Sequence, residues 1–263
     1  MKAYKISDKG KMRKNNEDNF LFKDKGLGDK FKNVFIVCDG VGGNNCGEVA
    51  SRLAVKTFEK DVKTNNLIKF MDDGNYRGMF SIAIGDANKI IHEKSLTKKK
   101  YNKMCTTMIC CTVDDEKAYI SNVGDSRIYL ITEKDGEDTI ERTIDSITVD
   151  NISMVETENI IKDENGNAKS QKSIRRVLTK AVGYTENVQP DYYEVDLKSK
   201  IEHGKKVYLL MCSDGLYDLT TREELLSIVT NKKLTGSKKV KQLVKKANDN
   251  GGRDNITAIL IEI

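Results

Sequence analysis

Three aspartates stand where apolar runs stop. Val34 to Cys38 runs into Asp39-Gly40, Val207 to Cys212 runs into Ser213-Asp214-Gly215, and Arg253-Asp254-Asn255 opens the apolar run that begins at Ile256. A short apolar run broken by Asp-Gly reads as a buried strand that ends in a turn. A carboxylate at such a strand mouth loses hydration, so a cation or hydrogen bonds must compensate for it. Strands of one sheet hold side chains rigidly, and glycine lets a backbone carbonyl approach an ion. Carboxylates, a carbonyl and waters form a hard oxygen set that suits Mg or Mn, whereas Zn favours Cys or His. One Asp-Gly signals only a turn, but three acidic strand mouths point to one shared metal centre.

A second acidic group lies nearer the start, where Arg13, Asn16, Glu17 and Asp18 share the charged loop Lys9 to Asp18. Arg13 can form a surface ion pair there. If the loop faces Asp39 instead, the acids meet metal while the planar guanidinium grips an oxyanion such as phosphate through two parallel hydrogen bonds. The tight turn Asn122 to Arg127 places Asp125 at another strand end. Gly40, Gly42 and Gly43 are not a nucleotide phosphate loop, because no Gly-Lys-Ser/Thr follows. Cys38 and Cys212 sit inside strand-like runs and read as packing residues, which argues against a phosphocysteine route. His92 and His203 are isolated from the Asp-Gly motifs, so chemistry that needs histidine is not expected.

The elements that would position these residues come in pairs of strands with helices before and after. Ala3 to Ser7, Asn19 to Lys23, Thr107 to Val113, Lys117 to Val123, Arg127 to Thr132, Tyr192 to Leu197, Lys206 to Cys212 and Ile256 to Ile263 read as strands. The last is nearly all apolar and belongs in the middle of a sheet. Helical spacing marks Cys46 to Val62, and Phe80, Ile84, Ala87 and Ile91 form one apolar stripe. Thr221 with Glu224 makes a capping box, and Ser237 is the expected cap of the next helix. This order disfavours a doubly wound sheet and favours two sheets packed face to face with helices outside. Glu133 to Ser173 is hydrophilic and reads as an insertion over that scaffold, where binding surfaces are often carried.

With 263 residues, one large domain over 1–263 is expected. The 45 basic and 40 acidic residues leave a net charge of +5, too balanced to indicate nucleic acid. No run has the length of a membrane span and the polar start, Met1 to Lys11, lacks a signal-peptide core, so a cytoplasmic chain is expected. Six cysteines without a Cys-x-x-Cys pair are expected to be reduced core thiols.

Seven motifs, in order, closely resemble the metal-dependent protein serine/threonine phosphatases of the type 2C class, most of all their compact bacterial members. They are Arg13-x-x-Asn16-Glu17-Asp18, Asp39-Gly40-Val41-Gly42-Gly43, Cys105-Thr106-Thr107, Asn122 to Arg127, Leu178 to Gly183, Ser213-Asp214-Gly215 and Gly252 to Thr257. The resemblance implies an α+β fold, a four-layer αββα sandwich of two mostly antiparallel sheets, with a pair of Mn or Mg ions in a channel between them. It implies that Asp39 bridges both ions, that the Gly40 carbonyl binds the second, and that Asp214 and Asp254 complete the first. Asp18 and Glu17 would act on the second directly or through water, Arg13 would hold the phosphate, and Asn255 would orient Asp254 or a water. A weaker third ion would use Asp125 and Asp214, and 133–173 would be the flap over the channel. The implied activity is hydrolysis of phosphoserine and phosphothreonine in proteins by a metal-activated water without a covalent intermediate. The implied partners are substrates of a bacterial serine/threonine kinase and that kinase. Asn44 stands where relatives commonly have histidine, so a histidine proton donor is not implied. A module that keeps the fold for binding or regulation without turnover is the competing reading.

Overall fold

Five strands form each of two antiparallel sheets, and the alternation of their side chains dictates how the layers stack. The computed structural model describes the chain except residues 25–32, 42–45, 64–66, 115, 137–138 and 163–167; Gly42, Gly43 and Asn44 therefore lie outside the described residues. The first sheet has the order β1 (Lys2–Asp8), β14 (Ile256–Glu262), β13 (Lys206–Cys212), β8 (Arg127–Asp135), β9 (Ile140–Ser146). The second runs β12 (Asp191–Asp196), β7 (Lys117–Val123), β6 (Met108–Asp114), β3 (Val34–Cys38), β2 (Asn19–Lys23). β4 (Gly40–Val41) and β5 (Cys105–Thr106) form a small bridge at the end of β3.

Every residue of β3 is buried, because both its faces are covered. Val34, Ile36 and Cys38 pack toward α1 (Gly47–Lys63) and α3 (Tyr76–Ser95), while Phe35 and Val37 face the other sheet. β13 repeats the pattern. Tyr208, Leu210 and Cys212 meet α6 (Arg222–Val229) and α7 (Gly236–Asp249), and Val207, Leu209 and Met211 fill the space between the sheets. Helix, sheet, sheet and helix layers follow directly from this period of two. β14 lies between β1 and β13, where its unbroken apolar run fits.

Thr221 and Glu224 form the expected capping box of α6. The cap of α7 is Thr235 rather than Ser237: the helix begins at Gly236, and the Thr235 hydroxyl accepts from Lys238 N at 3.4 Å. Three short helices carry no periodic stripe in the sequence: α2 (Ile68–Asp72), α4 (Lys198–Glu202) and α5 (Asp214–Tyr217). Within the hydrophilic stretch, β9 joins the first sheet as its edge strand. β10 (Ile152–Lys162) and β11 (Ala168–Leu178) pair only with each other, as a long hairpin outside both sheets. All six cysteines are free and buried. Among the described residues no helix is long and apolar enough to cross a membrane.

Candidate active site

The mouths of β3, β13 and β14 open at one end of the sandwich, and a cavity of about 570 Å3 lies there. Arg13, Glu17, Asp39, Gly40, Asp125, Asp214, Asp254 and Asn255 line it, so eight residues singled out in the sequence converge from five separate segments. Asp18 lies behind them, 6% exposed. A Cβ on Gly40 would stand 2.3 Å from Gly47 O and 2.6 Å from Glu17 O, so only glycine permits this approach of β4 to α1 and the N-terminal loop.

Polar side chains fix the strand mouths. Thr107 Oγ1 accepts from Asp39 N at 2.9 Å, and Thr106 Oγ1 donates to Asp39 O at 2.8 Å. Thr107 Oγ1 also shares a 2.8 Å hydrogen bond with Ser126 Oγ, which ties the Asp39 strand to the Asp125 turn. Ser213 Oγ donates to Asp18 Oδ2 at 2.8 Å and accepts from Thr257 N at 2.9 Å, joining three segments. Asn255 clamps the charged loop. Its Oδ1 accepts from Glu17 N at 2.8 Å, and its Nδ2 donates to Lys9 O at 2.8 Å and to Asn15 O at 2.9 Å. Its backbone N–H donates to Asp254 Oδ1 at 2.8 Å.

So many acids in one place alter one another's protonation. Removal from solvent, reinforced by Asp18, Asp214, Asp125 and Asp254, pushes Asp39 well above the usual carboxylate range. Burial pushes Asp18 up to about 7 against the opposing hydrogen bonds from Thr257 and Ser213. Asp214 is pushed up to about 6 by burial and then by Asp125 and Asp254. Glu17 and Asp125 are also raised, chiefly by burial.

Two arginines supply positive charge from opposite sides. Arg13 Nη2 lies 2.6 Å from Asp254 Oδ2. Arg176, on β11, reaches Asp218 Oδ2 at 2.8 Å, Asp214 Oδ2 at 3.1 Å and Asp125 Oδ2 at 3.6 Å. Among the described residues, no three His, Cys, Asp or Glu side chains form a ready cage for one ion. The donor set nevertheless fits a hard divalent cation. Asp18 Oδ1 and Asp214 Oδ1 are buried carboxylate oxygens without a hydrogen-bond partner, and such atoms are costly unless a cation meets them.

Arg175, Arg176, Tyr184 and Asp218 were not legible as site residues. The first three line the cavity, and Asp218 follows α5. The pair Arg175-Arg176 had only its place in the hydrophilic stretch as a signal. His92 and His203 stay away from the cavity: His92 Nδ1 faces Gly183 O at 3.4 Å, and His203 Nδ1 contacts Ser199 O.

Two face-to-face sheets with helices outside and a carboxylate-lined cavity at one end match the arrangement expected of metal-dependent phosphatases. The chain belongs to the protein phosphatase 2C family, which it matches over residues 2–256. It is 30% identical to protein phosphatase PhpP of Streptococcus pneumoniae over 98% of this chain and 96% of that protein. It is 29% identical to serine/threonine phosphatase stp of Listeria monocytogenes, over 97% of this chain and 93% of that one. Its structure resembles the crystal structure of serine/threonine phosphatase Stp1 from Staphylococcus aureus, with a TM-score of 0.73 at 27% identity, covering 99% of this chain and 94% of that one. The family is metal-dependent, and membership brings phosphatase activity to this chain.

Proposed function

We propose that this chain hydrolyses phosphoserine and phosphothreonine in proteins by attack of water on phosphorus, without a phosphoenzyme, using Mn or Mg. The observation that carries this reading is the convergence of Glu17, Asp39, Asp125, Asp214 and Asp254 on one cavity, with buried oxygens of Asp18 and Asp214 unpartnered. Asp39 would serve both ions and the Gly40 carbonyl the second, Asp214 and Asp254 would complete the first, and Asp18 and Glu17 would act on the second directly or through water. Asp125 with Asp214 would hold a weaker third. Divalent ions so held would supply Lewis acidity, lowering the pKa of water and neutralising phosphoryl charge.

The protein's own residues do the rest. Thr106, Thr107, Ser213 and Asn255 hold the acids in place through the hydrogen bonds above, which keeps reorganisation during reaction small. Arg13, 51% exposed at its side chain, can leave Asp254 to bind two phosphoryl oxygens side by side. Among the described residues no histidine lines the cavity, and the leaving alkoxide would take its proton from water. The whole of 1–263 would act as one catalytic domain, with 133–173 contributing the flap. Its substrates would be proteins phosphorylated by a bacterial serine/threonine kinase, the kinase included.

The test is turnover of phosphoserine, phosphothreonine and phosphotyrosine peptides after chelation, with Mn or Mg added back. Metal-restored turnover of the first two, without a burst of dephosphorylated peptide, is expected. Undiminished turnover in chelator, or a trapped phosphoenzyme, would overturn the mechanism; tight metal binding with no turnover would leave the binding-module reading standing.

A further inference from the structure

Hairpin β10–β11 is joined to the body at its base by Asn151, whose backbone N–H donates to Gly124 O at 3.0 Å and whose Nδ2 donates to Asp191 Oδ2 at 2.7 Å. Lys180, just after the hairpin, pairs with the same Asp191 at 2.6 Å. Farther along, among the described residues, every ion pair from the hairpin to the body comes from Arg176. Its Nη1 and Nη2 donate to Asp218 Oδ1 at 2.9 Å and Oδ2 at 2.8 Å, a fork that fixes the guanidinium in one orientation. Nη2 also donates to Asp214 Oδ2 at 3.1 Å and lies 3.6 Å from Asp125 Oδ2. Tyr217 backs the group, with its ring centroid 5.7 Å from Arg176 Cζ and its hydroxyl donating to Asp125 O at 2.9 Å. Asp214 therefore offers one oxygen to the guanidinium while its other, Oδ1, is buried and unpartnered.

We propose that Arg176 and a divalent cation exclude each other at Asp125 and Asp214, so that Arg176, held by Asp218, is a latch that keeps the hairpin against the cavity until cation loading releases it. This rests on the reading of Asp125 and Asp214 as cation ligands. The physical reason is local. A divalent ion on these carboxylates would share Asp214 with a guanidinium, and two cations so close repel strongly in a partly desolvated site. The guanidinium is the member that can leave, because it hangs on a two-stranded ribbon whose strands pair only with each other. Asp218 also acts electrostatically on Asp125 and Asp214, so Arg176 is the member of the latch whose removal leaves every carboxylate in place. The latch is reciprocal: whatever Arg176 subtracts from cation affinity, the cation subtracts from hairpin docking.

The test uses the whole chain and Mn alone. Calorimetric titration of wild type, R176Q and R176K is paired with trypsin cleavage at Lys172, an exposed hairpin site whose side chain is 68% accessible. Cleavage reports the population of the released hairpin. R176Q is expected to tighten the weakest Mn site about tenfold, within the usual range of coupling between two sites, and R176K, which keeps a cation there, to stay nearer wild type. Mn is expected to speed cleavage of wild type at Lys172, whereas R176Q is cleaved fast in chelator with no further gain from Mn. Unchanged Mn binding and cleavage in R176Q, with a weak site that D125A abolishes, would overturn the latch and leave the ligand reading intact. Mn isotherms that D125A does not alter would overturn both.

Discussion

The two sides of the cavity are built differently. On the strand side, Asp39, Asp214 and Asp254 sit at the ends of β3, β13 and β14, and Thr107, Ser213 and Asn255 bridge neighbouring segments behind them. On the hairpin side, one long side chain, Arg176, spans the gap from β11 to Asp218 and Asp214. The first side is set by backbone register and by hydrogen bonds between neighbouring segments. The second depends on charge and can be exchanged for another cation. A site needs both properties when it must hold ligands rigidly and still admit a macromolecular substrate.

The largest expected effect breaks the strand side. Asp39 to Asn removes a carboxylate that no neighbour replaces, at the centre of acids that raise one another's affinity for protons. Turnover should fall by on the order of a thousandfold or more, as for removal of a central electrostatic group, and calorimetry should show loss of tight Mn binding. A D39N protein with wild-type Mn affinity and rate would remove Asp39 from the proposed centre.

This contrast also explains what could be read from the chain. Asp39, Asp214 and Asp254 were legible because each interrupts an apolar run, and burial on both faces of β3 and β13 produced those runs. The layers were legible for the same reason. Arg176 was not, because a charged residue in a polar ribbon looks like any solvated one until the fold brings Asp218 to it. α5 escaped because four residues cannot display a helical stripe, and β9 because every one of its residues is exposed or half-exposed. Ser237 was misplaced as a cap because Thr235, two residues earlier, has equal capping chemistry and lies where α7 starts.

A smaller effect sharpens the comparison through pH. Asp18 has its pKa raised by burial to about 7 in the folded, metal-free chain. A carboxylate with a raised folded pKa favours the folded state while protonated, and that contribution is present below the unfolded value and lost as pH rises through the folded one. Metal-stripped wild type, compared with D18N, should therefore lose thermal stability between about pH 4 and about pH 7. The relative shift should be several degrees, since ~1 kcal/mol moves the midpoint of a domain of this size by about 2–4 °C. Excess Mn should reverse the trend, because ligands must be ionised to bind it. Parallel pH profiles for the two proteins in chelator would show that Asp18 is not held protonated.

The smallest expected effect concerns histidine, and it tests whether either side of the cavity hides a proton donor. His92 lies in the last turn of α3 and lines a separate depression with Asn88 and Glu186, while His203 follows α4. Among the described residues that line the carboxylate cavity, none is histidine. A general acid near neutral pKa is the role histidine would fill, and it matters most for poor leaving groups such as the alkoxide of serine. With water as the donor, replacing both histidines by glutamine should leave kcat on phosphoserine and phosphothreonine peptides within about threefold, a change of less than ~1 kcal/mol in the barrier. p-Nitrophenyl phosphate, whose leaving group barely needs a proton, should respond no differently. A loss of about a hundredfold or more on the peptides alone, in a protein still folded and binding Mn, is the magnitude expected of a lost general acid. It would mean that a histidine travels to the cavity during turnover, and that the hairpin side moves more of the chain than its own two strands.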